Sequence, residues 1–431
     1  MNLNGKKLVF FGGSGLDVCA IVRAKELGIT TVVCNKFSVD KSPAKAIADE
    51  AWTEDFSNTE RIGTLIRERH VDGIFVGWTD SHLPYYAAIC QQNGLPCCGT
   101  PEQFAILSNN KKRFKELCGQ YGVPVVREYP LSIDFHPEDL ARMQYPVMVK
   151  PADGSGGRGV KRCDSEDALK THYRALYTQG STNIICEEYI DSKKEIFLNY
   201  TIVDSVCHLA AGYMSFDSIR ADGSSGPALL HVYPSSYLRL YQDTVEPHVL
   251  RMLKGIGLQN AVLSLQGFVV GDRFVFHETG LRMGGGQSYV FTKKLNGLSA
   301  LDQMLEFSVT GRVSTSETGI RDNPYFSKYG VNYYISLRTG RIREIRGLEA
   351  VKAMPQVLQL SSYHKPGDFI QAGTSLDSVI YRLHVMDDTP EQLARTLETI
   401  AHTFCILDEN GEEMQVERLG YDRALEMIHN A

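Results

Sequence analysis

The sequence holds no apolar run near the roughly 20 residues that a membrane-spanning helix needs. It has no basic excess: 45 lysines and arginines stand against 51 aspartates and glutamates, a net charge of −6. With no basic run either, the chain is a poor match for nucleic acid or an anionic membrane surface. None of the ten cysteines is spaced C-x-x-C, and adjacent Cys97 and Cys98 suit neither an ordinary disulfide nor a zinc knuckle. They read as reduced, mostly buried thiols of a cytoplasmic protein. Internal repeats and low-complexity tracts are absent. The opening MNLNGKKLVFFGGSG turns to glycines where a signal peptide would extend its apolar core, so it reads as a first β-strand. What is present is globular composition, 43% hydrophobic and 22% charged over 431 residues. At roughly 150 residues per domain, two or three domains are expected.

The first hundred residues alternate strand and helix signals. Lys7 to Phe11, Thr30 to Cys34 and Gly73 to Val76 read as strands, with helices over Val18 to Leu27 and Leu83 to Gln92. That alternation means a parallel sheet with crossover helices. The turn Gly12-Gly13-Ser14-Gly15 lacks the third glycine of a dinucleotide fingerprint, and Asn35 stands where an acidic residue would hold a ribose. A tight strand-to-helix turn is the better reading. Further on, Lys111 to Tyr121 reads as a helix stopped by Gly122-Val123-Pro124. Tyr145 to Pro151 and Asn183 to Ile190 read as strands, with a helix over Asp164 to Tyr177 between them. Ser215 to Pro234, polar and glycine-rich, reads as a mobile loop. Leu258 to Glu278 reads as a β-hairpin turning at Gly271-Asp272.

Three segments could carry chemistry. In the first, a buried strand delivers Lys150 into a loop with four glycines in six residues, Gly154-Ser155-Gly156-Gly157-Arg158-Gly159. Glycines let backbone N–H groups approach phosphate oxygens, and the lysine adds a compact positive charge. In the second, Glu187-Glu188-Tyr189-Ile190 ends a strand, with Glu195 soon after. Adjacent carboxylates can simply be solvated, or this edge can serve an adenine through its backbone and a ribose through a side chain. The third pairs Gln266 with Glu278, hard oxygen donors suited to Mg²⁺. A two-residue turn would put them on opposite faces of the hairpin; only an odd loop or a bulge sets them side by side. Alternation would turn His277 to the face away from Glu278. Arg282, beside Gly284-Gly285-Gly286, could neutralise a transferring phosphate or clamp a carboxylate.

Taken in order, these segments resemble the ATP-grasp superfamily from residue 1 to about 312, and most of all its carbamoyl-phosphate-synthetase-like and biotin-carboxylase-like carboxylate–amine ligases. The resemblance implies an α/β and α+β protein. Its parts would be a parallel-sheet pre-ATP-grasp domain over 1–105, an ATP-grasp domain over 106–315 with a lid at about 125–188, and a small carboxy-terminal α+β domain over 316–431. It implies ATP held by Lys111, Lys150 and the Ser155, Gly156 and Gly157 backbone. The hinge Glu187, Glu188, Tyr189 and Ile190 would frame adenine, and Glu195 the ribose. Gln266 and Glu278 would hold Mg²⁺ or Mn²⁺, with Arg282 and Lys150 at the transferring phosphoryl group. Asp80, just past the third strand, and Gly285 and Gly286 would meet the second substrate. One departure stands out: E-x-N-x-R here reads Glu278-Thr279-Gly280-Leu281-Arg282, without the asparagine. The implied activity joins a small carboxylic acid to an amine through an acyl phosphate, with an amino acid as one substrate and a homodimer as one assembly open to it. A small-molecule kinase on the same fold and a non-catalytic nucleotide binder remain as alternatives.

Overall fold

The computed structural model describes residues 2–154, 159–220, 225–314, 321–372 and 376–431. Near the amino terminus, four parallel strands lie in the order Glu50–Thr53, Thr30–Asn35, Lys7–Phe11 and Gly73–Phe75. The central strand explains the arrangement. Leu8 and Phe10 pack with Ile21 and Ala24 on one face, while Val9 and Phe11 pack with Ile62 and Leu65 on the other. A strand buried on both faces needs helices on both, which parallel crossovers supply. Gly73 lets helix Ala300–Thr310 approach closely, since a Cβ there would run into the Ser308 carbonyl. That contact ties the first sheet to the middle of the chain.

A second, antiparallel sheet runs Glu128–Tyr129, Ile184–Glu188, Val147–Pro151, Lys161–Cys163. With helix Glu166–Thr178 it encloses its own small core of Val147, Val149, Leu169, Tyr173 and Cys186. The largest sheet has eight strands, antiparallel at every junction. Their order is Arg273–Gly280, Ala261–Val270, Glu195–Val203, Val206–Ile219, Ser225–Tyr233, Tyr329–Ser336, Val379–Asp387 and Val357–Ser362. It runs without a break from the hairpin that carries Glu278 into strands beyond residue 316. Among the described residues no helix is long and apolar enough to cross a membrane.

Ser215 to Pro234 is not the mobile loop that its composition suggests. Its described residues form the facing arms of strands Val206–Ile219 and Ser225–Tyr233, paired Met214↔Val232 and Ser215↔His231. Two register shifts near Asp217 break the period-2 pattern that would mark a strand. On its far side Ser225–Tyr233 is claimed by Tyr329–Ser336, a partner about a hundred residues away in sequence.

Candidate active site

Lys150 is aimed by the pleat of its strand. Val147 and Val149 are buried in the small core, so Met148 and Lys150 face the other way, into a cleft. On the neighbouring strand Glu187 pairs with Met148 in register and shares that side. Its carboxylate accepts from Lys150 Nζ at 2.6 Å and from Lys115 Nζ, and Glu128 lies 3.7 Å from Lys115. All three bridged side chains are nearly dry. Burial pushes the Glu187 carboxyl up, but Lys150 and Lys115 outweigh it and hold the group below its ordinary value. Glu128 goes the other way, raised by burial against the pull of Lys115. Glu187 is therefore a support for Lys150. Glu188, next along the strand, is exposed. Lys115, which closes the trio from helix Lys111–Tyr121, falls within the stretch that carries the sequence resemblance, but its role could not be read there because its partners are far away in sequence.

Helix Lys111–Tyr121 starts on Asn110, whose side chain caps the Lys112 and Arg113 N–H groups. Lys111 Nζ donates to the Gly154 carbonyl at 2.6 Å and lies 3.2 Å from Glu278 Oε1. One lysine thus connects the glycine loop to the hairpin. In that hairpin Val270↔Arg273 through Gly267↔Phe276 follow a two-residue turn, then the register shifts and Gln266 faces Glu278 directly. The bulge meets the condition that metal use sets on this pair. It also overturns the alternation expected for His277, which lines the same cleft as Glu278, its Nε2 3.3 Å from Glu195 Oε1.

The cleft has a volume of about 430 Å³. Lys111, Lys150, Glu187, Glu188, Tyr189, Ile190, Glu195, Gln266, Glu278 and Arg282 all line it, with Val126, Met148 and Phe268 as apolar walls. Ser155, Gly156 and Gly157 lie outside the described residues. Among the described residues no group of three or more His, Cys, Asp or Glu could hold a metal unaided. One carboxylate and one amide oxygen do fit a Mg²⁺ or Mn²⁺ ion that takes its remaining ligands from phosphate and water.

Arg282 and Asp80 form an ion pair, Nη2 to Oδ2 at 2.7 Å, and Arg282 Nη1 donates to the Met283 carbonyl at 3.0 Å. The glycine in place of the asparagine has a direct effect here. A Cβ on Gly280 would sit 3.1 Å from Arg282 Cζ and 3.3 Å from both Arg282 Nη2 and Asp80 Oδ1. Gly280 leaves room for the pair. Gly285 is exposed and Gly286 buried, neither in the cleft; the Gly286 carbonyl accepts from Asn332 Nδ2 at 3.0 Å. Asp17 closes the early glycine turn itself, accepting from the Gly13 and Ser14 N–H groups at 2.8 Å.

Comparison with known proteins meets this geometry. Residues 110–205 match the family described as carbamoyl-phosphate synthase L chain, ATP binding domain. The 2-oxoglutarate carboxylase small subunit of Hydrogenobacter thermophilus is 30% identical over 207 residues, 44% of this chain and 44% of that one. The carbamoyl phosphate synthase large chain of Clostridium beijerinckii is 23% identical over 59% of this chain and 24% of its own length. The chain thus spans less than half the length of these curated relatives. In fold, it is similar to the L-amino acid ligase of Bacillus licheniformis, with a TM-score of 0.76, 19% identity and coverage of 94% of this chain and 100% of the other. Residues 110–205 thus match a carbamoyl-phosphate-synthase type of ATP-binding domain, and over 94% of its length the chain has the fold of an ATP-grasp ligase.

Proposed function

We propose that the chain is an ATP-dependent carboxylate–amine ligase with an amino acid as one substrate. The observation that carries this reading is the convergence of Lys111, Lys150, Gln266, Glu278 and Arg282 on one cleft that also has an apolar wall. The apolar side suits an adenine ring and the hinge backbone its polar edge. Lys111 and Lys150 would hold phosphate oxygens. Gln266 and Glu278 would hold a divalent cation, which supplies charge neutralisation at the phosphates.

The step needs little covalent chemistry from the protein. A carboxylate oxygen of the acid attacks the γ-phosphorus, the bond to the β-phosphate oxygen breaks, and ADP leaves. The amine nitrogen then attacks the acyl carbon, phosphate departs, and the nitrogen gives up a proton. Arg282, fixed by Asp80, faces the charge that builds on the transferring group. Asp80 Oδ1 is buried with no hydrogen-bond partner, next to the space that Gly280 leaves open. It is an acceptor suited to the amine. The test is phosphate release from Mg-ATP, screened against pools of amino acids and small acids, with Lys150→Ala as control. Release of ADP and phosphate that needs both acid and amine, and falls about a hundredfold in the variant, is the expected result. AMP and pyrophosphate would contradict an acyl phosphate, and phosphate kept on the acceptor would make the protein a kinase.

A further inference from the structure

We propose that Arg382 anchors a second-substrate subsite that takes an oxyanion, a carboxylate or a phosphate, carried in addition to the reacting group. This deepens the ligase reading and rests on it. Arg382 lies on strand Val379–Asp387, and its side chain shares a face of the eight-stranded sheet with Gln266 and Glu278. The register shows it: Gln266↔Phe197, Phe197↔Tyr213, Ser215↔His231, His231↔Asn332, Asn332↔His384 and Tyr334↔Arg382. Residues opposite one another, or two apart on a strand, project to the same side. The segment from Arg282 to Ser288 crosses this face. Its Gly285 carbonyl accepts from Arg382, and its Gly286 carbonyl from Asn332.

The charge balance around Arg382 is unusual. The residue is 1% exposed and has no ion pair among the described residues. Its neighbours are neutral: Asn332 Oδ1, 3.1 Å from Nε; the Gly285 carbonyl; the side chain of Tyr363; and the ring of Tyr334, whose centroid lies 5.3 Å from Cζ. His231 and His384 face it too, and burial pushes both far below their ordinary values, so neither is charged near neutral pH. His384 Nδ1 is buried without a partner. A buried guanidinium is normally matched by a carboxylate or phosphate, because dipoles alone do not replace its hydration. Here no matching anion is found among the described residues. Gly285, which covers the guanidinium, is exposed. Ser361 and Gln359, the register partners of Arg382 and His384, line a groove of about 700 Å³ with Gly15, Cys19 and Tyr289. The planar fork of an arginine receives either oxyanion through two parallel bonds.

The test uses the full chain with its nucleotide site filled by the magnesium complex of a non-hydrolysable ATP analogue, whose γ-phosphoryl group occupies the position that free phosphate could otherwise take. Acetate and inorganic phosphate are titrated separately against chloride of equal ionic strength, with binding read by calorimetry and melting temperature. Saturable binding of at least one is expected. Acetate alone would point to a substrate with a second carboxylate, and phosphate alone to a phosphate ester. Arg382→Met should lose the binding. Asn332→Asp should lose it as well, because it keeps the arginine in place and gives it an internal counter-charge. That second variant separates an anion site from a clamp that merely holds the Gly285 loop, since a clamp would survive it. In turnover, Asn332→Asp should raise the KM of the anionic substrate at least tenfold and leave the KM of ATP unchanged. Absence of saturable binding in the wild type, or equal binding in Asn332→Asp, would overturn the proposal. Binding without turnover of any pool would keep the anion site and overturn the ligase reading instead.

Discussion

Between Lys115 and Lys150, Glu187 supplies one buried negative charge to two positive ones. Glu187→Gln leaves both lysines without a full partner, and removing one member of a buried ion pair destabilises by about 3 kcal/mol or more. Urea unfolding should show that loss, and nucleotide affinity should fall with it because Lys150 is no longer held. Gly280 makes an opposite kind of prediction. Gly280→Asn would complete the E-x-N-x-R pattern that the sequence resemblance implies, yet its Cβ would press on Arg282 and Asp80. Activity should fall by about tenfold or more rather than rise, measured as kcat for phosphate release; an increase would show that the Asp80–Arg282 pair is dispensable. Lys150 was legible in the sequence because a buried strand running into glycines is a local pattern. The partners of Lys115 and the pairing of Asp80 with Arg282 join segments far apart in the chain, which no local pattern records.

The element that decides metal chemistry is the bulge in the hairpin Ala261–Val270 and Arg273–Gly280. Gly267 sits at it, and a Cβ there would lie 2.7 Å from the Phe276 ring and from the Val275 carbonyl. Gly267→Val should disturb the register that brings Gln266 opposite Glu278. Nucleotide binding should then lose its dependence on Mg²⁺ while weak metal-free binding persists, as followed by titration with and without chelator. The hairpin and its turn were legible from Gly271-Asp272 and the flanking apolar residues. The bulge was legible only as a condition, because one extra residue leaves no mark in composition. The same limit hid the strands at Ser215 to Pro234, where register shifts near Asp217 erase the alternation.

Over the whole molecule, the eight-stranded sheet gathers the cleft and the Arg382 region on one face, and that face is a source of acid sensitivity. His231 is pushed down to about 3 by burial and then by the charge of Arg382. A folded value below the unfolded 6.5 means that its contribution is fully present above pH 6.5 and is lost as pH falls toward 3. At pH 5 this amounts to about 2 kcal/mol for His231 alone. Unfolding at pH 5 and pH 7 should show the difference, and His231→Gln should reduce it. The parallel first sheet was legible from alternating strands and helices, and the order of the site-bearing segments from their short local motifs. The continuity of the large sheet past residue 316 was not, since its strands pair across long stretches of chain. The central claim is transfer of the γ-phosphoryl group to a carboxylate. Its most direct measurement is oxygen transfer, with the acid found by the pool screen labelled with ¹⁸O in its carboxylate. One labelled oxygen in each released phosphate is the result predicted here, because the attacking oxygen leaves with phosphorus. Unlabelled phosphate, with product formed at the same rate, would contradict the account.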